Sequence, residues 1–160
     1  MIDLVIREYT PADRAGVIAL ARQLQAKEAS LYDRMKPPEA IDGWYLDDLL
    51  EACEKAKGTL FVAEVGEKLV GYATLLTRLT STDEIEEVEY TYAKVKDLAV
   101  DEDHRRGGIG RALLARCEET ARQAGARWLR LTVISDNDAV HLYDKAGFKA
   151  LFTEMEKPLE

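Results

Sequence analysis

The chain has 160 residues, of which 47% are hydrophobic, so residues 1–160 are expected to form a single domain with one substantial core. Its 30 acidic residues outnumber its 22 basic ones, and the net charge of −8 predicts neither nucleic acid nor an anionic membrane as a partner. No segment is apolar enough to span a bilayer and the amino terminus lacks a targeting pattern, so a cytoplasmic location is expected.

The first part of the chain predicts one strand and two helices. Residues 5–9 have strand chemistry, and the sequence TPAD at residues 10–13 is typical of a helix start, with a cap hydroxyl followed by a proline. Apolar residues then repeat at helical spacing until two prolines, Pro37 and Pro38, break the pattern. A second helix is expected over residues 41–57.

Three strands are expected next. Residues 60–65 and 69–76 are rich in β-branched and aromatic side chains and are joined through Gly66 and Glu67, which predicts an antiparallel hairpin. Residues 80–89 form an acidic connection, and residues 90–100 return to strand chemistry.

The last part of the chain alternates helices and strands. Apolar residues from Ile109 onward fall on one helical face, and Gly125 is well placed to end that helix. A buried strand at 128–134, a short helix at 138–146 and a final strand at 148–157 follow. The order β-α-α-β-β-β-α-β-α-β predicts a mixed sheet with helices on its faces, an α/β fold.

The two cysteines, Cys53 and Cys117, both fall inside helical patterns. A free cysteine in such a position usually behaves as a small buried hydrophobe, so neither a disulfide nor a metal site is predicted.

The strongest functional signal is the glycine-rich turn between the strand at 90–100 and the helix that follows it. Such a turn presents unpaired backbone N–H groups at the positive end of the helix dipole, where phosphate oxygens bind well. His104, Arg105, Arg106 and Arg111 add positive charge to an otherwise acidic chain.

The spacing of this segment excludes two other phosphate-binding loops. A Walker-type loop requires lysine and then serine or threonine after its last glycine, but Arg111 and Ala112 follow Gly110. A dinucleotide-binding turn requires a third glycine where Leu113 stands. A simple helix entry turn without a ligand would leave the arginines unexplained.

The remaining pattern resembles the GNAT family of N-acetyltransferases. The similarity covers residues 94–148: the strand at 95–100, the loop and helix start at 104–114, and the segment at 139–148. It implies a mostly antiparallel sheet flanked by helices, an α+β variant of the α/β class. It also implies acetyl-CoA as cosubstrate and transfer of the acetyl group to an amine of a small molecule or protein by direct attack.

The resemblance implies which residues bind the coenzyme. Leu98, Ala99 and Val100 would pair with the pantetheine arm as an added strand would, and the loop would bind the pyrophosphate. The loop residues are Arg105, Arg106, Gly107, Gly108, Ile109, Gly110 and Arg111. Tyr143 matches the family tyrosine that lies near the coenzyme sulfur and protonates the departing thiolate; packing against Val140 and Phe148 is compatible with that role.

The general base stays open at this point. Lys96 occupies the position where many family members carry glutamate, and it cannot act as an anionic base. Asp97 and Glu89 are the candidates, although strand alternation would direct Asp97 to the face opposite Lys96. Glu89 belongs to an acidic segment with Glu84, Glu86 and Glu87, for which a solvated loop is the alternative.

Three further points remain alternatives. Asn137 can cap the short helix or contact the coenzyme. Tyr32, Trp44 and Tyr45 can line an acceptor pocket or pack the helices. The chain can be an enzyme whose acceptor is cationic, or, because of Lys96, an idle acyl-CoA sensor or partner-binding module; a homodimer is compatible with either.

Overall fold

A mostly antiparallel sheet forms the centre of the computed structural model, which describes residues 3–81 and 90–160. The described residues form five strands in the spatial order β1-β2-β3-β4-β5. These strands are β1 (Leu4–Glu8), β2 (Thr59–Val65), β3 (Lys68–Thr80), β4 (Thr91–Val100) and β5 (Leu129–Arg130). The first four pair antiparallel, and β5 lies parallel to β4. The predicted fold class is confirmed.

Helices cover both faces of this sheet. They are α1 (Arg14–Leu31), α2 (Gly43–Lys55), α3 (Ile109–Gln123) and α4 (Val140–Lys145). The TPAD sequence forms a 3₁₀ turn, Pro11–Asp13, that leads into α1. No helix within the described residues is both long and apolar enough to cross a membrane.

Strand alternation divides the core into two layers. On one face, α1 and α2 cover Leu60, Val62 and Tyr72. On the other face, α3 covers Phe61 and Ala63 together with other sheet residues. There are two layers because successive strand residues point to opposite sides of the sheet, and each layer is buried because helices cover it.

The two cysteines are buried and free, as the sequence predicts. Burial raises the pKa of Cys53 to about 11 and that of Cys117 to about 12. Both thiols are therefore protonated at neutral pH and act as packing groups.

The β2–β3 hairpin forms where the sequence predicts it. Val65 pairs with Lys68 across the turn, and Gly66 has φ of +62°, a left-handed conformation that glycine adopts without steric cost.

Two predictions about the last part of the chain are wrong. The strand expected over 128–134 is limited to Leu129–Arg130, and the strand expected over 148–157 does not form. Residues 149–160 are all exposed, and Glu156 forms an ion pair of 2.7 Å with Arg34. Strand-forming side chains do not make a strand without a partner edge, and two paired residues of β5 offer very little edge.

A small ionic network connects β1 to the start of α1. The Arg7 guanidinium donates two hydrogen bonds of 2.8 Å to the Asp13 carboxylate and one of 3.0 Å to Glu64 on β2. The Thr10 backbone N–H also donates to Asp13, at 2.8 Å. The Arg7 hydrogen bonds are the main cause that lowers the pKa of Asp13 from 3.8 to about 2.

We expect Asp13→Asn to lower the free energy of unfolding at pH 7 by about 1 kcal/mol, because Arg7 is partly solvated and the ion pair is screened. Since the folded-state pKa of Asp13 is depressed, its contribution is complete above about pH 4 and disappears as the pH falls towards 2. Urea unfolding at pH 7, 4 and 2 measures this. Asp47→Asn, which removes an exposed partner of Arg14, is the control and should cost less; an undiminished Asp13→Asn difference at pH 2 would contradict the assignment.

Candidate functional site

The strands β4 and β5 separate early. Ala93 pairs with Leu129 and Lys94 pairs with Arg130, and the pairing described between the two strands ends there. From residue 95 onward β4 continues to Val100 while remaining paired with β3 on its other side. Leu98, Ala99 and Val100 lie along this opened edge. Since alternate residues of a strand direct their N–H and C=O groups to opposite edges, part of this backbone faces the gap.

The glycine-rich loop follows the end of β4 directly. A 3₁₀ turn at Glu102–His104 leads into it, and α3 begins at Ile109 with Gly108 as its N-cap. The Ala112 N–H donates to the Gly108 carbonyl at 3.0 Å, the hydrogen bond that opens the helix. The N–H groups before it have no acceptor inside α3 and lie at its positive end. This geometry suits an anion.

The three glycines of the loop have different local roles. Gly108 has φ of +85°, and a Cβ built on it would have no atom within 4 Å, so its outer side is open. A Cβ on Gly107 would lie 3.4 Å from the His104 carbonyl oxygen. A Cβ on Gly110 would lie 3.1 Å from Leu142 of α4, which means that Gly110 permits close packing of α3 against α4. Ile109 is buried in the α3 layer, so only its backbone is available to a ligand.

Positive side chains surround the outer side of the loop. Arg105, Arg106 and Arg111 are exposed, and Arg105 Nε donates to the Val100 carbonyl at 3.3 Å. Lys27 of α1 forms an ion pair with Asp138, just before α4. The hydrogen bond from Lys27 is the largest cause that lowers the pKa of Asp138, and Arg105 and Arg106 lower it further. A negative group is therefore stabilised in this region.

A cavity of about 530 Å³ opens between α1 and the loop. Its lining residues are Arg22, Gln23, Ala26, Lys27, Glu102 and Arg105. Gln23 connects α1 to the start of the loop, because its side chain donates to Asp101 at 2.8 Å and accepts from the Glu102 N–H at 2.9 Å. His104 Nδ1 lies 2.7 Å from the other Asp101 oxygen. His104 therefore belongs to the hydrogen-bond network that holds the start of the loop.

Tyr143 lies on α4 and is partly buried. Its ring contacts that of Phe148, with centroids 6.0 Å apart and an edge-on arrangement, and both rings pack against the α3 layer. Burial, together with the negative charges of Glu28 and Asp97, raises the pKa of Tyr143 to about 12. The phenol is therefore protonated at neutral pH and available as a proton donor.

Asp97 is the centre of a hydrogen-bonded group on the α1–α2 face. Its Oδ2 accepts hydrogen bonds from the hydroxyls of Tyr45, on α2, and Tyr72, on β3; the Tyr72 bond is 2.9 Å long. Burial raises the pKa of Asp97, while the two tyrosine hydrogen bonds act against that shift. The pKa values of both tyrosines are raised by burial and by the Asp97 charge, so both phenols stay protonated and donate.

Strand β4 contains a β-bulge at Lys96, next to Asp97. Thr74 pairs with Asp97 and Leu75 pairs with Val95, so Lys96 has no partner on β3. The predicted strict alternation between Lys96 and Asp97 is thus interrupted at this point. Lys96 is exposed. Its positive charge acts to lower the pKa of Asp97 and that of Cys53 on α2, against the larger effect of burial, which raises both.

Sequence reasoning missed Glu28. This residue lies on α1, and its pKa is raised by burial and then by the charge of Asp97. Its charge also acts on Tyr45, Tyr72 and Tyr143. An available signal was its position four residues after Leu24, on the apolar face of α1, where a charged residue is uncommon.

The remaining predicted residues fall into three groups. Asn137 Oδ1 accepts from the Ala139 N–H at 2.9 Å, a hydrogen bond in the turn before α4, whose N-cap is Ala139 without a side-chain cap; a coenzyme contact by Asn137 stays a prediction. Tyr45 donates to Asp97, whereas Tyr32 and Trp44 are 38% and 47% exposed; the Trp44 ring contacts that of Tyr45, with centroids 5.7 Å apart. Glu89, with the acidic segment 84–89, lies outside the described residues.

Comparison with known proteins gives the family of this chain. The model of the acetyltransferase (GNAT) family matches residues 21–148, which include the opened strand, the loop and Tyr143. This chain belongs to the GNAT family of acetyltransferases. Several other matches are themselves named acetyltransferases.

Three relatives illustrate the range of similarity. An uncharacterized N-acetyltransferase of Methanocaldococcus jannaschii is 33% identical over 107 residues, and these cover 66% of this GNAT chain but only 44% of the relative. A mutant Bacillus halodurans protein of known structure is 25% identical, with a TM-score of 0.84 over 98% of this chain and 99% of the other. An aminoglycoside N-acetyltransferase in complex with CoA is 15% identical, with a TM-score of 0.70 over 99% and 95%, and shows the shared fold.

Substitution of Tyr45 tests the hydrogen bonds of the Asp97 group directly. Because the hydrogen bond from Tyr45 lowers the pKa of Asp97, Tyr45→Phe should raise that pKa further. A ¹³C NMR titration of the labelled carboxyl measures the change. Tyr32→Phe, which alters an exposed hydroxyl next to Arg34, is the matched control and should leave the Asp97 titration unchanged. An unchanged or lower pKa in Tyr45→Phe would show that the hydrogen bond has been misassigned.

Proposed function

We propose that this chain transfers the acetyl group of acetyl-CoA to an amine by direct attack in a ternary complex. The observation that supports the proposal most is the continuity of two features. The opened edge of β4 leads, without an intervening element other than one 3₁₀ turn, into the anion-binding start of α3. A ligand that is extended at one end and anionic at the other matches this shape.

Acetyl-CoA has that shape and chemistry. Its pantetheine arm carries amide groups that can pair with the backbone of Leu98, Ala99 and Val100 in the manner of an added strand. Its pyrophosphate would accept hydrogen bonds from the N–H groups of residues 106–111 at the start of α3. Asp138, whose pKa is lowered by Lys27, Arg105 and Arg106, already illustrates that this region favours negative charge.

The reaction itself requires a neutral amine and a protonated leaving group. An alkylamine has a pKa of about 10.4 in water, so it must lose a proton before its nitrogen attacks the thioester carbonyl. A C–N bond then forms and the C–S bond breaks, which releases the coenzyme as a thiolate. The amine proton goes to a carboxylate of the protein, and the thiolate takes a proton from a donor nearby.

Tyr143 is the proposed donor. Its pKa of about 12 keeps it protonated at neutral pH, and it packs against the same core layer as Leu98 and Val100, which would border the pantetheine arm. Once it has given its proton to the thiolate, it regains one from solvent or from the amine proton held by the protein.

Asp97 is the proposed acceptor of the amine proton. Burial raises its pKa towards the range in which a carboxylate accepts a proton effectively near neutral pH. Glu89, the other candidate from the sequence, stays a prediction.

A second candidate function is an acyl-CoA-binding sensor without turnover. One observation favours it: Lys96 occupies the β4 bulge with its charge close to Asp97, where it opposes the uptake of a proton by that carboxyl. The two functions differ in turnover and agree in coenzyme binding.

Several expectations from the sequence keep the status of predictions. These are the cationic character of the acceptor, the homodimer, the absence of nucleic-acid and membrane partners, and the cytoplasmic location. The acceptor can be a small molecule or a protein amino group.

The coenzyme site is tested by Gly108→Glu. The new carboxylate would enter the open space beside Gly108 and repel the pyrophosphate, so the affinity for acetyl-CoA should fall at least about tenfold in isothermal titration calorimetry at low salt. Gly66→Glu is a close control, because Gly66 also has a positive φ and open space around it but lies in the β2–β3 turn. Equal affinity in both variants would refute the proposed pyrophosphate site.

The acid role is tested by Tyr143→Phe. Loss of the proton donor should lower turnover by about 100-fold while the dissociation constant of acetyl-CoA stays nearly constant. Thiol release measured with polyamines, aminoglycosides, amino acids and peptide amino termini gives the rate. Tyr9→Phe, at the end of β1, should behave as the wild type. Unchanged turnover in Tyr143→Phe would remove the acid assignment, and coenzyme binding without turnover across the whole panel would favour the sensor.

A further inference from the structure

Glu28 lies on the face of α1 that packs against the sheet. Val17 and Ala21 are buried on this face, and Leu24 packs against the same core. Glu28 stands one helical turn after Leu24 and therefore continues the same stripe. Glu28 is partly buried, as its position on this stripe requires.

The electrostatic interactions of Glu28 agree with this placement. Its charge acts on Asp97 from α1, while Tyr45 approaches Asp97 from α2 and Tyr72 approaches it from β3. Tyr143, on α4, responds to both carboxyls. Among the residues that the structure describes, Lys96 of β4 is the cation whose charge acts on Asp97. Two carboxyls thus share one partly buried region beside the tyrosine that would face the coenzyme sulfur.

A buried hydroxyl without a hydrogen-bond partner lies on the same face. Thr74 is fully buried, and its Oγ1 has no partner among the described residues. Thr74 lies directly opposite Asp97 in the β3–β4 register, and opposite residues of antiparallel strands point to the same side of the sheet. Buried polar groups in native proteins are nearly always satisfied, so an orphaned hydroxyl beside Asp97 indicates that protein groups alone do not complete this site.

We propose that Glu28 and Asp97 together bind the primary ammonium group of an aliphatic amine acceptor, on the sheet face that also carries Thr74. The inference rests on the proposed function and specifies its acceptor. A primary ammonium has three N–H donors, which two carboxyls and a further oxygen can accept. An anionic acceptor would be repelled by both carboxyls, and a neutral alcohol would leave their charges uncompensated.

The same pair explains how the nucleophile forms. A bound ammonium gives one proton to one of the two carboxyls: an N–H bond breaks, an O–H bond forms, and the nitrogen keeps its electron pair for attack on the thioester. The other carboxyl retains its negative charge and holds the resulting amine by a hydrogen bond. Glu28 is therefore a specificity residue for cationic acceptors, contributed by α1 rather than by β4.

The test uses n-butylamine as the ammonium probe and 1-butanol as its neutral counterpart. Both are titrated into the ¹⁵N-labelled protein, with and without CoA, which lacks the acetyl group and so prevents turnover. We expect n-butylamine to shift backbone signals of α1 and β4 saturably, and 1-butanol to bind at least tenfold more weakly. In Glu28→Gln the dissociation constant for n-butylamine should rise at least tenfold while the CoA dissociation constant stays the same.

Glu54→Gln is the matched control, since it removes one negative charge from an exposed position on α2 and should bind n-butylamine like the wild type. Equal affinity for n-butylamine in wild type and Glu28→Gln would overturn the proposal, and so would failure of the wild type to bind it. The preserved CoA affinity of Glu28→Gln shows that the variant is folded. If CoA failed to bind the wild type, the proposed function would fall, while the titration without CoA would still decide the acceptor site.

Discussion

The early separation of β4 from β5 is the constraint on which the rest of the site depends. Two pairs of residues hold the strands together at one end, and beyond them the backbone of β4 lies open on one edge. An open edge inside a sheet leaves polar groups without partners, an arrangement that proteins normally cover or close. Here the edge ends at the start of α3, so the same discontinuity that weakens the sheet forms the edge along which we propose that the coenzyme binds.

The face of β4 that lies towards α1 and α2 carries the second specialised region. Asp97 lies partly buried with two tyrosine hydroxyls on one of its oxygens. A carboxyl in such surroundings does not contribute to stability as an apolar residue of the same size would. Its cost to the fold is partly offset by the two phenols, which also orient it. The bulge at Lys96 changes the alternation of the strand just where this carboxyl must point towards the helices.

The features that could be predicted from the sequence are those that arise within a short stretch of chain. The hairpin at Gly66, the α3 start at Gly108 and the hydrogen bond of Asn137 in the turn before α4 all depend on neighbouring residues, and all three form. The role of Glu28 could not be seen this way, because its partners lie on other helices and strands. The final strand at 148–157 failed for a related reason: a strand needs an edge to pair with, and the sequence of the strand says nothing about that edge.

The close approach of Gly110 and Leu142 connects the two ends of the proposed coenzyme site. The absence of a side chain at Gly110 allows the first turn of α3 to pack directly on α4, the helix that carries Tyr143. The packing of these two helices therefore fixes the distance between the start of α3 and the Tyr143 phenol. In the proposed complex, this distance would select ligands by the separation of their charged and reactive ends, independently of the chemical groups that lie between.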